Sequence, residues 1–526
     1  MIQRSAFLVF VVVFLLALLL YASTAASSLT WAHSGADGGD LITAAVTNGV
    51  PHPPGYPTYV TFGRLIAHIP IGDVAYRFNL FSAVCMAVAA GLTSLSIATF
   101  VARGVRLITI LASLFFVTAP MVWGQATIAE VHALNACLVA LCGYLVAPIV
   151  FRCEIISLGR LTLAAWLWGM AFGNSITVVA LTPLMIVAWR RHPRRSPWPI
   201  CALLLGLGIY ALIPLRAIQQ PPVNWGAATS FDRFVALTTA EMYRGYALGA
   251  PPAELFTRLI AFAQLIVTQY GWFGVILSGV GTYQALTSSN KNWRWLTTTI
   301  ALYLIFALSY SAADSALYLI PVWMFGTWAI ARGLMAVIEW LTLRSCPYPC
   351  LRQGGPLTQC VADAWRRVRR GASFMPAPPL DEDRAGRVAH LSSLALIAVF
   401  LLGPALNVLI HFPAMNLRND RAATEFASTI LTAAPPGAIV VTENDGHTFA
   451  LWYHRHVAGQ RPDLAVIDRR LAGYSWYDVM LHAQGSAPLL PEYDPLERWN
   501  DRLAQLNPQR AVCIVDRASA QMTCRR

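Results

Sequence analysis

The sequence predicts a polytopic α-helical membrane protein with about 11 transmembrane helices and a small α/β domain at its C-terminal end. Hydrophobic residues make up 56% of the 526 residues, and charged residues make up only 12%. A soluble fold cannot bury that much apolar surface. Long uncharged runs recur up to residue 411, whereas residues 412–526 lose this character.

The first apolar run covers residues 2–21 and carries Arg4 near its start. We interpret it as an uncleaved first helix. A cleaved signal peptide is the alternative, because Ala22-Ser-Thr-Ala-Ala resembles a cleavage region. Both interpretations place the following loop, residues 25–77, outside the membrane.

The remaining spans follow from apolar runs and one broken segment. Residues 161–189 are long enough for two short spans, are interrupted at Gly173-Asn174-Ser175 and have arginines on both flanks, so we expect them to enter the membrane and return. The other predicted spans are residues 78–101, 107–123, 126–149, 199–218, 268–286, 296–311, 316–335 and 390–411.

The distribution of basic residues predicts the orientation of the chain in the membrane. With the N-terminus inside, the inner segments hold about three times as many basic residues as the outer segments before residue 412. Residues 1–343 are therefore predicted to be a transmembrane module, 344–389 a cytoplasmic loop, 390–411 the last span and 412–526 an extracytoplasmic domain.

The net charge of +12 is spread over short clusters between spans, which argues against nucleic acid as a partner. Lys291 is the only lysine, an arginine bias typical of GC-rich bacteria, so we expect the bacterial plasma membrane.

The tail, residues 412–526, is predicted to be an α/β domain. Strands are predicted at 438–442, 464–468 and 511–515, and a helix is predicted at 446–457. Cys513 and Cys524 can form a disulfide if the tail is extracytoplasmic; two free thiols are the alternative.

Two carboxylates stand out in the first outer loop. Asp37 and Asp40 are three residues apart, and the proline-rich run 51–57 with His52 and Tyr56 follows. Close carboxylates repel, so one holds its proton more tightly or a divalent cation, Mg or Mn, binds between them. Either state suits proton abstraction from a hydroxyl. A solvated, glycine-rich loop is the alternative.

Further candidates lie near the same membrane boundary. Arg64, Arg77 and Arg216 are candidates to stabilise an anionic leaving group; the alternative for each is extension to lipid headgroups. Glu130 and Asn135 open a span, where polar residues either serve a site or hold helices together. Trp225 would stack on a sugar or belong to the interfacial aromatic belt.

These segments together resemble one family. Asp37-Gly-Gly-Asp40, the run 52–57, Ala75-Tyr-Arg-Phe-Asn-Leu80, the run 123–135, Pro214-Leu-Arg216 and Pro222-Val-Asn-Trp-Gly226 occur in its expected order. The chain resembles the protein O-mannosyltransferase-like membrane family of the GT-C glycosyltransferase superfamily. The resemblance also extends into the tail, through 436–449 and Leu451-Trp-Tyr453.

The resemblance implies a sugar, mannose or another hexose, carried by a polyprenyl-phosphate donor and transferred to a hydroxyl of a protein or lipid on the outer face. It implies Asp37 as general base with Asp40 as its partner or an acceptor contact, and no certain cofactor. The residues implied for donor phosphate and sugar binding are His52, Tyr56, Arg64, Arg77, Glu130, Asn135, Arg216 and Trp225.

Two positions depart from the family pattern. Asp40 stands where a glutamate is usual, and Ser175 stands where a histidine is expected after Asn174. A membrane-anchored binding or assembly protein, or a transporter, is the alternative to a transferase; a transporter would need an internal repeat, and none is apparent.

Overall fold

The computed structural model describes residues 4–101, 106–193, 196–288, 290–344, 400–484, 488–491, 496–519 and 521–525. The predicted cytoplasmic loop 344–389, apart from its first residue, and the start of the predicted span 390–411 lie outside the described residues.

The part of the chain before the tail is helical, as predicted. Within the described residues, six helices are long and apolar enough to cross a membrane, and a seventh counts if two helices that meet at 71° form one broken span. The predicted count of about 11 remains a prediction. The helices are Arg4–Thr24, Gly38–Val46, Pro57–Ala67, Val74–Ala98, Arg106–Val117, Pro120–Ala126, Val131–Arg152, Leu158–Phe172, Thr182–Arg191, Trp198–Leu207, Leu212–Ala217, Phe231–Thr238, Pro252–Thr287, Trp293–Ser309, Ile320–Arg344 and Phe400–Met415. Short 3-10 helices occupy Ala32–Asp37, Ile176–Leu181, Gly208–Ala211, Trp225–Ala227, Glu241–Tyr246 and Ser315–Leu319.

The segment 161–189 is broken at the residues where the sequence predicts a break, and its entry into the membrane and return remain a prediction. Leu158–Phe172 ends at Gly173, and Ile176–Leu181 leads into Thr182–Arg191. At the break, Asn174 is fully buried and its Nδ2 donates to the carbonyl of Val131 at 3.0 Å. The break is therefore fixed against the start of the helix Val131–Arg152.

The first outer loop is ordered rather than open. Pro57 begins its second helix, where the missing N–H of proline costs nothing. Asp73 caps the next helix by accepting from the N–H of Ala75 at 2.7 Å. A backbone bridge pairs Val50 with Asn224 and ties this loop to the segment that contains Trp225.

The tail contains a four-stranded sheet in the order β2-β1-β3-β4. The strands are β1 Ile439–Thr442, β2 Ala465–Asp468, β3 Val512–Val515 and β4 Met522–Arg525, with β1 parallel to β2 and β3 and β4 antiparallel to β3. Helices at Ala422–Ala433, Asp445–His456, Ser475–Ala483 and Leu496–Leu506, and a 3-10 turn at Arg469–Leu471, complete the tail. We call Asp445–His456 the tail helix.

Three strands and the tail helix were predicted, and β4 was not. β4 is an exposed edge strand with polar residues, so it lacks the apolar pattern of the buried strands. Cys513 and Cys524 face each other across β3 and β4 and form a disulfide.

The tail packs directly on the first outer loop. Trp31 Nε1 donates to the carbonyl of Gly446 at 3.2 Å, and the Tyr453 hydroxyl donates to Asp73 Oδ1 at 2.8 Å. The tail helix also lies against the helix Gly38–Val46, which carries Asp40.

Candidate active site

A cavity of about 630 Å³ lies where the first outer loop, the start of Val131–Arg152 and the tail helix meet. Two parts of its lining differ in chemistry. We call Asp37, His52 and Glu130 the acidic wall. We call Tyr243, Tyr246, Phe306, Tyr310 and Tyr318 the aromatic wall.

The cavity lies far from the predicted cytoplasmic arginines. Thr177 lines the cavity, and the helical run that contains it ends at Arg190 and Arg191. At about 1.5 Å of rise per residue, roughly 20 Å separates the two ends. This placement agrees with a site on the face opposite to the arginine cluster.

His52 links the two aspartates. Its Nδ1 lies 2.7 Å from Asp40 Oδ2, and its Nε2 lies 3.5 Å from Asp37 Oδ2. The backbone N–H of His52 donates to the same Asp40 oxygen at 2.9 Å. The imidazole is thus held by a buried carboxylate on one side and faces a cavity-lining carboxylate on the other.

The two aspartates occupy different environments because of their local structure. Asp37 ends the 3-10 helix Ala32–Asp37, and 39% of its side chain is open to the cavity. Asp40 lies in the first turn of Gly38–Val46 and is fully buried. Its Oδ1 accepts from Trp225 Nε1 at 3.0 Å, so Asp40 is saturated with donors while Asp37 faces the space where a substrate would lie.

Burial and charge shift the titration of these groups. Removal from bulk water raises the pKa of Asp37 to about 6, although the neighbouring His52 opposes this shift. Burial alone would lower the pKa of His52, but Asp37 and Asp40 outweigh it and raise that pKa to about 9. Near neutral pH, His52 is therefore a cation and Asp37 is mostly ionised.

Glu130 supplies further acceptor atoms. It caps the helix Val131–Arg152, is 4% exposed, and its Oε2 accepts from the N–H of Val131 at 3.3 Å. Within the described residues, Glu130 Oε1 and Asn135 Oδ1 are buried without a hydrogen-bond partner. Both residues line the cavity, so it offers two acceptors suited to hydroxyl donors.

The aromatic wall was not anticipated by sequence reasoning. Tyr310 contacts Tyr246, Phe306 and Tyr318, with ring centroids 6.0, 5.3 and 5.7 Å apart. Its residues come from two distant segments, and clustered aromatics in short outer loops are a weak indication of a site. Arg244, between two of these tyrosines, was also missed and is the only cavity-lining arginine among the described residues. Asp314 lines the cavity too.

The three predicted arginines do not line the cavity. Arg77 donates to the carbonyls of Ala67, Ile71 and Gly72 and so fastens the end of a helix and its loop. Arg216 is 5% exposed and donates to Thr61 Oγ1 at 2.9 Å. Arg64 lies exposed in the last turn of Pro57–Ala67. Proximity to the membrane boundary, used to select them, does not determine where a long side chain points.

The other predicted residues divide into two groups. Asp37, His52, Tyr56, Glu130 and Asn135 line the cavity. Asp40 and Trp225 lie behind it, and the Trp225 indole is 2% exposed and bonded to Asp40. In this arrangement Trp225 holds Asp40 and does not offer a face for stacking on a sugar.

The donor set does not fit a divalent cation between Asp37 and Asp40. Mg and Mn need free carboxylate oxygens, but both oxygens of Asp40 accept from N–H groups, and the His52 imidazole fills the space between the carboxylates. In the described part of the chain, no three His, Cys, Asp or Glu side chains form a group that could hold a metal ion.

Comparison with known families gives two matches. Residues 37–197 match the model described as protein O-mannosyl-transferase TMEM260 N-terminal domain. Residues 423–496 match the model described as TMEM260-associated domain 2. The two matches contain the acidic wall and the tail helix, respectively.

Curated relatives and solved structures extend these matches. Protein O-mannosyl-transferase TMEM260 of Mus musculus is 25% identical over 496 residues, which cover 89% of this chain and 63% of the relative. The Dictyostelium discoideum protein of the same name is 24% identical over 320 residues, which cover 56% of this chain and 38% of the relative. The chain thus spans less than two thirds of either relative. Both are eukaryotic and do not support the expected bacterial membrane.

The fold resembles that of ArnT from Cupriavidus metallidurans bound to undecaprenyl phosphate. The TM-score is 0.58 at 12% identity, over 98% of this chain and 94% of that one. This likeness confirms the predicted helical GT-C architecture. The chain is therefore similar in two segments to protein O-mannosyl-transferases of the TMEM260 type, and its fold is similar to that of ArnT.

Proposed function

We propose that this protein is a glycosyltransferase that moves mannose or another hexose from a polyprenyl-phosphate donor to a hydroxyl group of a protein. The observation that carries the proposal is the Asp37–His52–Asp40 arrangement at the cavity. A carboxylate that faces a cavity and is supported by a cation can accept a proton from a bound hydroxyl.

Asp37 is the general base in this proposal. The acceptor oxygen attacks the anomeric carbon, its proton passes to an Asp37 oxygen, and the bond from that carbon to the phosphate oxygen breaks. Polyprenyl phosphate leaves with the bonding electrons, and attack opposite the leaving group inverts the anomeric centre. His52 stabilises the ionised form of Asp37 beforehand, and Asp40 with Trp225 fixes the position of His52.

Arg244 and the aromatic wall form the donor side. Arg244 lines the cavity, and its side chain is 62% exposed, paired only loosely with Glu241 at 3.4 Å. It can therefore turn to a phosphate, the planar anion-binding role for which a guanidinium is suited. The rings of Tyr243, Tyr246 and Tyr310 offer apolar surface for the first isoprene units. Arg64, Arg77 and Arg216 take supporting positions instead.

Glu130 and Asn135 are proposed to hold the sugar. Their unpartnered acceptor atoms suit the hydroxyl groups of a hexose, which donate hydrogen bonds. A neutral, apolar ligand would leave both atoms unsatisfied at a substantial desolvation cost.

The membrane is part of the proposal. The basic-residue asymmetry supports a site and tail domain on the extracytoplasmic face, and the Cys513–Cys524 disulfide suits an oxidising compartment. The arginine bias supports the bacterial plasma membrane, whereas the named curated relatives are eukaryotic.

Reconstitution tests the function. Purified protein in lipid vesicles is given radiolabelled polyprenyl-phosphate mannose and a hydroxyl-bearing protein, and label on the protein is counted. We expect transfer by the natural chain and its loss in Asp37→Asn. Asp232→Asn is the control, because Asp232 is an exposed outer aspartate that does not line the cavity. Equal transfer by both variants would refute the role of Asp37. Solute uptake without a lipid donor would favour a transporter.

A further inference from the structure

The tail helix reaches the site through Phe449. This residue is 2% exposed and lines the cavity next to His52. The two rings are nearly parallel, with an interplanar angle of 13° and centroids 6.3 Å apart. Trp225 completes the enclosure, because its ring centroid lies 6.2 Å from both His52 and Phe449. One face of the imidazole is thus covered by a residue of another domain.

Gly39 allows this approach. It lies between the two aspartates in the sequence, and a Cβ placed on it would lie 2.4 Å from the carbonyl oxygen of Phe449. Only a glycine lets the tail helix come this close. The bonds from Trp31 to Gly446 and from Tyr453 to Asp73 hold the helix on both sides of the contact.

We propose that Phe449 is a positioning residue for the reaction: it holds the His52 imidazole between Asp37 and Asp40 and keeps water from its covered face. The tail domain is then a working part of the site rather than an appendage. This inference rests on the proposed function for its kinetic consequence, but the packing it describes is testable without any transfer assay.

The consequence for pH follows from the groups around Asp37. Those that act on its charge are His52, Asp40, Asp314 and Asp445. Burial is the largest cause of the raised pKa of Asp37, and His52 is the largest opposing one. A smaller residue at position 449 lets the His52 imidazole move away from Asp37, and so weakens the largest influence that lowers the pKa of Asp37. The pKa of Asp37 then rises above about 6, and the acid limb of the rate profile moves to higher pH.

The test compares Phe449→Leu with Trp499→Leu in the full-length protein. Trp499 is 3% exposed, belongs to the same domain and does not line the cavity. Two quantities are measured: the rate of His52 modification by diethylpyrocarbonate, from peptide mass spectrometry, and the pH profile of transfer. We expect Phe449→Leu to raise the modification rate several-fold, to lower transfer roughly tenfold through misplacement of His52, and to move the acid limb above pH 6.

The control variant should change neither quantity. Equal His52 modification in the two variants would overturn the proposal. If the natural chain shows no transfer, the proposed function fails, while the modification rates still decide the role of Phe449. If the Phe449→Leu protein does not accumulate in the cell, Gly39→Ala is used in its place. The methyl group added at position 39 pushes the tail helix away and leaves Phe449 itself unchanged. Unchanged His52 modification in Gly39→Ala would equally overturn the proposal.

Discussion

The acidic wall and the aromatic wall face one cavity but are built differently. In the acidic wall, His52 is held by a carboxylate, a backbone bond and two aromatic neighbours, and Glu130 is buried. In the aromatic wall, Tyr246 is 45% exposed, and the side chain of Arg244, which lies beside this wall in the chain, is 62% exposed. The first wall is fixed in place, whereas the second can adapt its shape.

This difference suits two tasks. A proton acceptor must keep its geometry within a fraction of an ångström, which a network of bonds achieves. A long flexible lipid needs contact area more than fixed geometry, which aromatic rings provide. We therefore expect changes in the acidic wall to reduce the catalytic rate, and changes in the aromatic wall to reduce donor affinity.

The largest effect is expected for Asp37→Asn. An amide cannot take up the acceptor proton, and general-base catalysis typically contributes roughly 10²–10⁴-fold. We expect kcat to fall by that range, with little change in KM for the donor. Initial rates at saturating donor measure it. A fall in donor affinity without a fall in kcat would show that Asp37 binds the donor, and would contradict the expected difference between the two walls.

Asp40→Asn should have the next largest effect. His52 loses the bonded carboxylate that helps to raise its pKa, so that pKa falls from about 9 and the imidazole cation favours ionised Asp37 less. Loss of the Asp40 charge acts in the opposite direction on Asp37 but is the smaller influence. The acid limb of the rate profile should therefore move upward from about pH 6, and the rate at pH 7 should fall roughly tenfold or more.

The pH profile of kcat/KM between pH 5 and 9 measures this shift. An acid limb that stays in place or moves downward would contradict the role of His52 as a supporting cation. Asp232→Asn again serves as the control.

Arg244→Gln sharpens the comparison on the other wall. A charged hydrogen bond to phosphate contributes about 1.5–3 kcal/mol, so KM for the donor should rise roughly 10–100-fold with kcat nearly unchanged. The matched control is Arg64→Gln, which removes an exposed arginine that does not line the cavity. Transfer rates measured over a range of donor concentrations give KM and kcat for both variants. A larger effect in the Arg64 variant would restore the boundary arginines as phosphate ligands.

The smallest effect is expected for Tyr310→Leu. Tyr310 lies at the centre of the aromatic wall, and an aromatic contact contributes about 0.5–1.5 kcal/mol, so donor affinity should fall roughly 2- to 10-fold. Tyr310→Phe keeps the ring and should bind as the natural chain does. Binding of polyprenyl phosphate followed by intrinsic fluorescence compares the variants. If Tyr310→Phe loses as much affinity as Tyr310→Leu, the hydroxyl and not the ring is what the donor needs.

Sequence reasoning predicted one wall better than the other, for a physical reason. Asp37, Asp40 and His52 lie close in the chain and form short motifs, and polar residues in an apolar chain attract attention. The aromatic wall is assembled from the 243–246 and 306–318 segments, and only the tertiary fold brings them together. Tyrosines near a membrane interface are common, so their presence alone predicted nothing.

The fold, like the cavity, was predicted only where the sequence carries a local pattern. Apolar runs predicted the long apolar helices and the buried strands β1, β2 and β3, because burial leaves a compositional pattern. β4 depends on pairing with β3, which the composition of the strand does not indicate. The three hydrogen bonds that Arg77 donates to backbone carbonyls depend on the local path of the chain, which composition does not indicate either.

The contact between Trp31 and Gly446 joins positions that are 415 residues apart. During synthesis, the N-terminal part of the chain is inserted long before its distant partner leaves the ribosome. On the proposed topology, one face of His52 stays uncovered until the tail has crossed the membrane and docked. On the proposed function, catalytic competence would be the last event of biogenesis, and a chain whose tail fails to translocate would remain in the membrane as an inert protein.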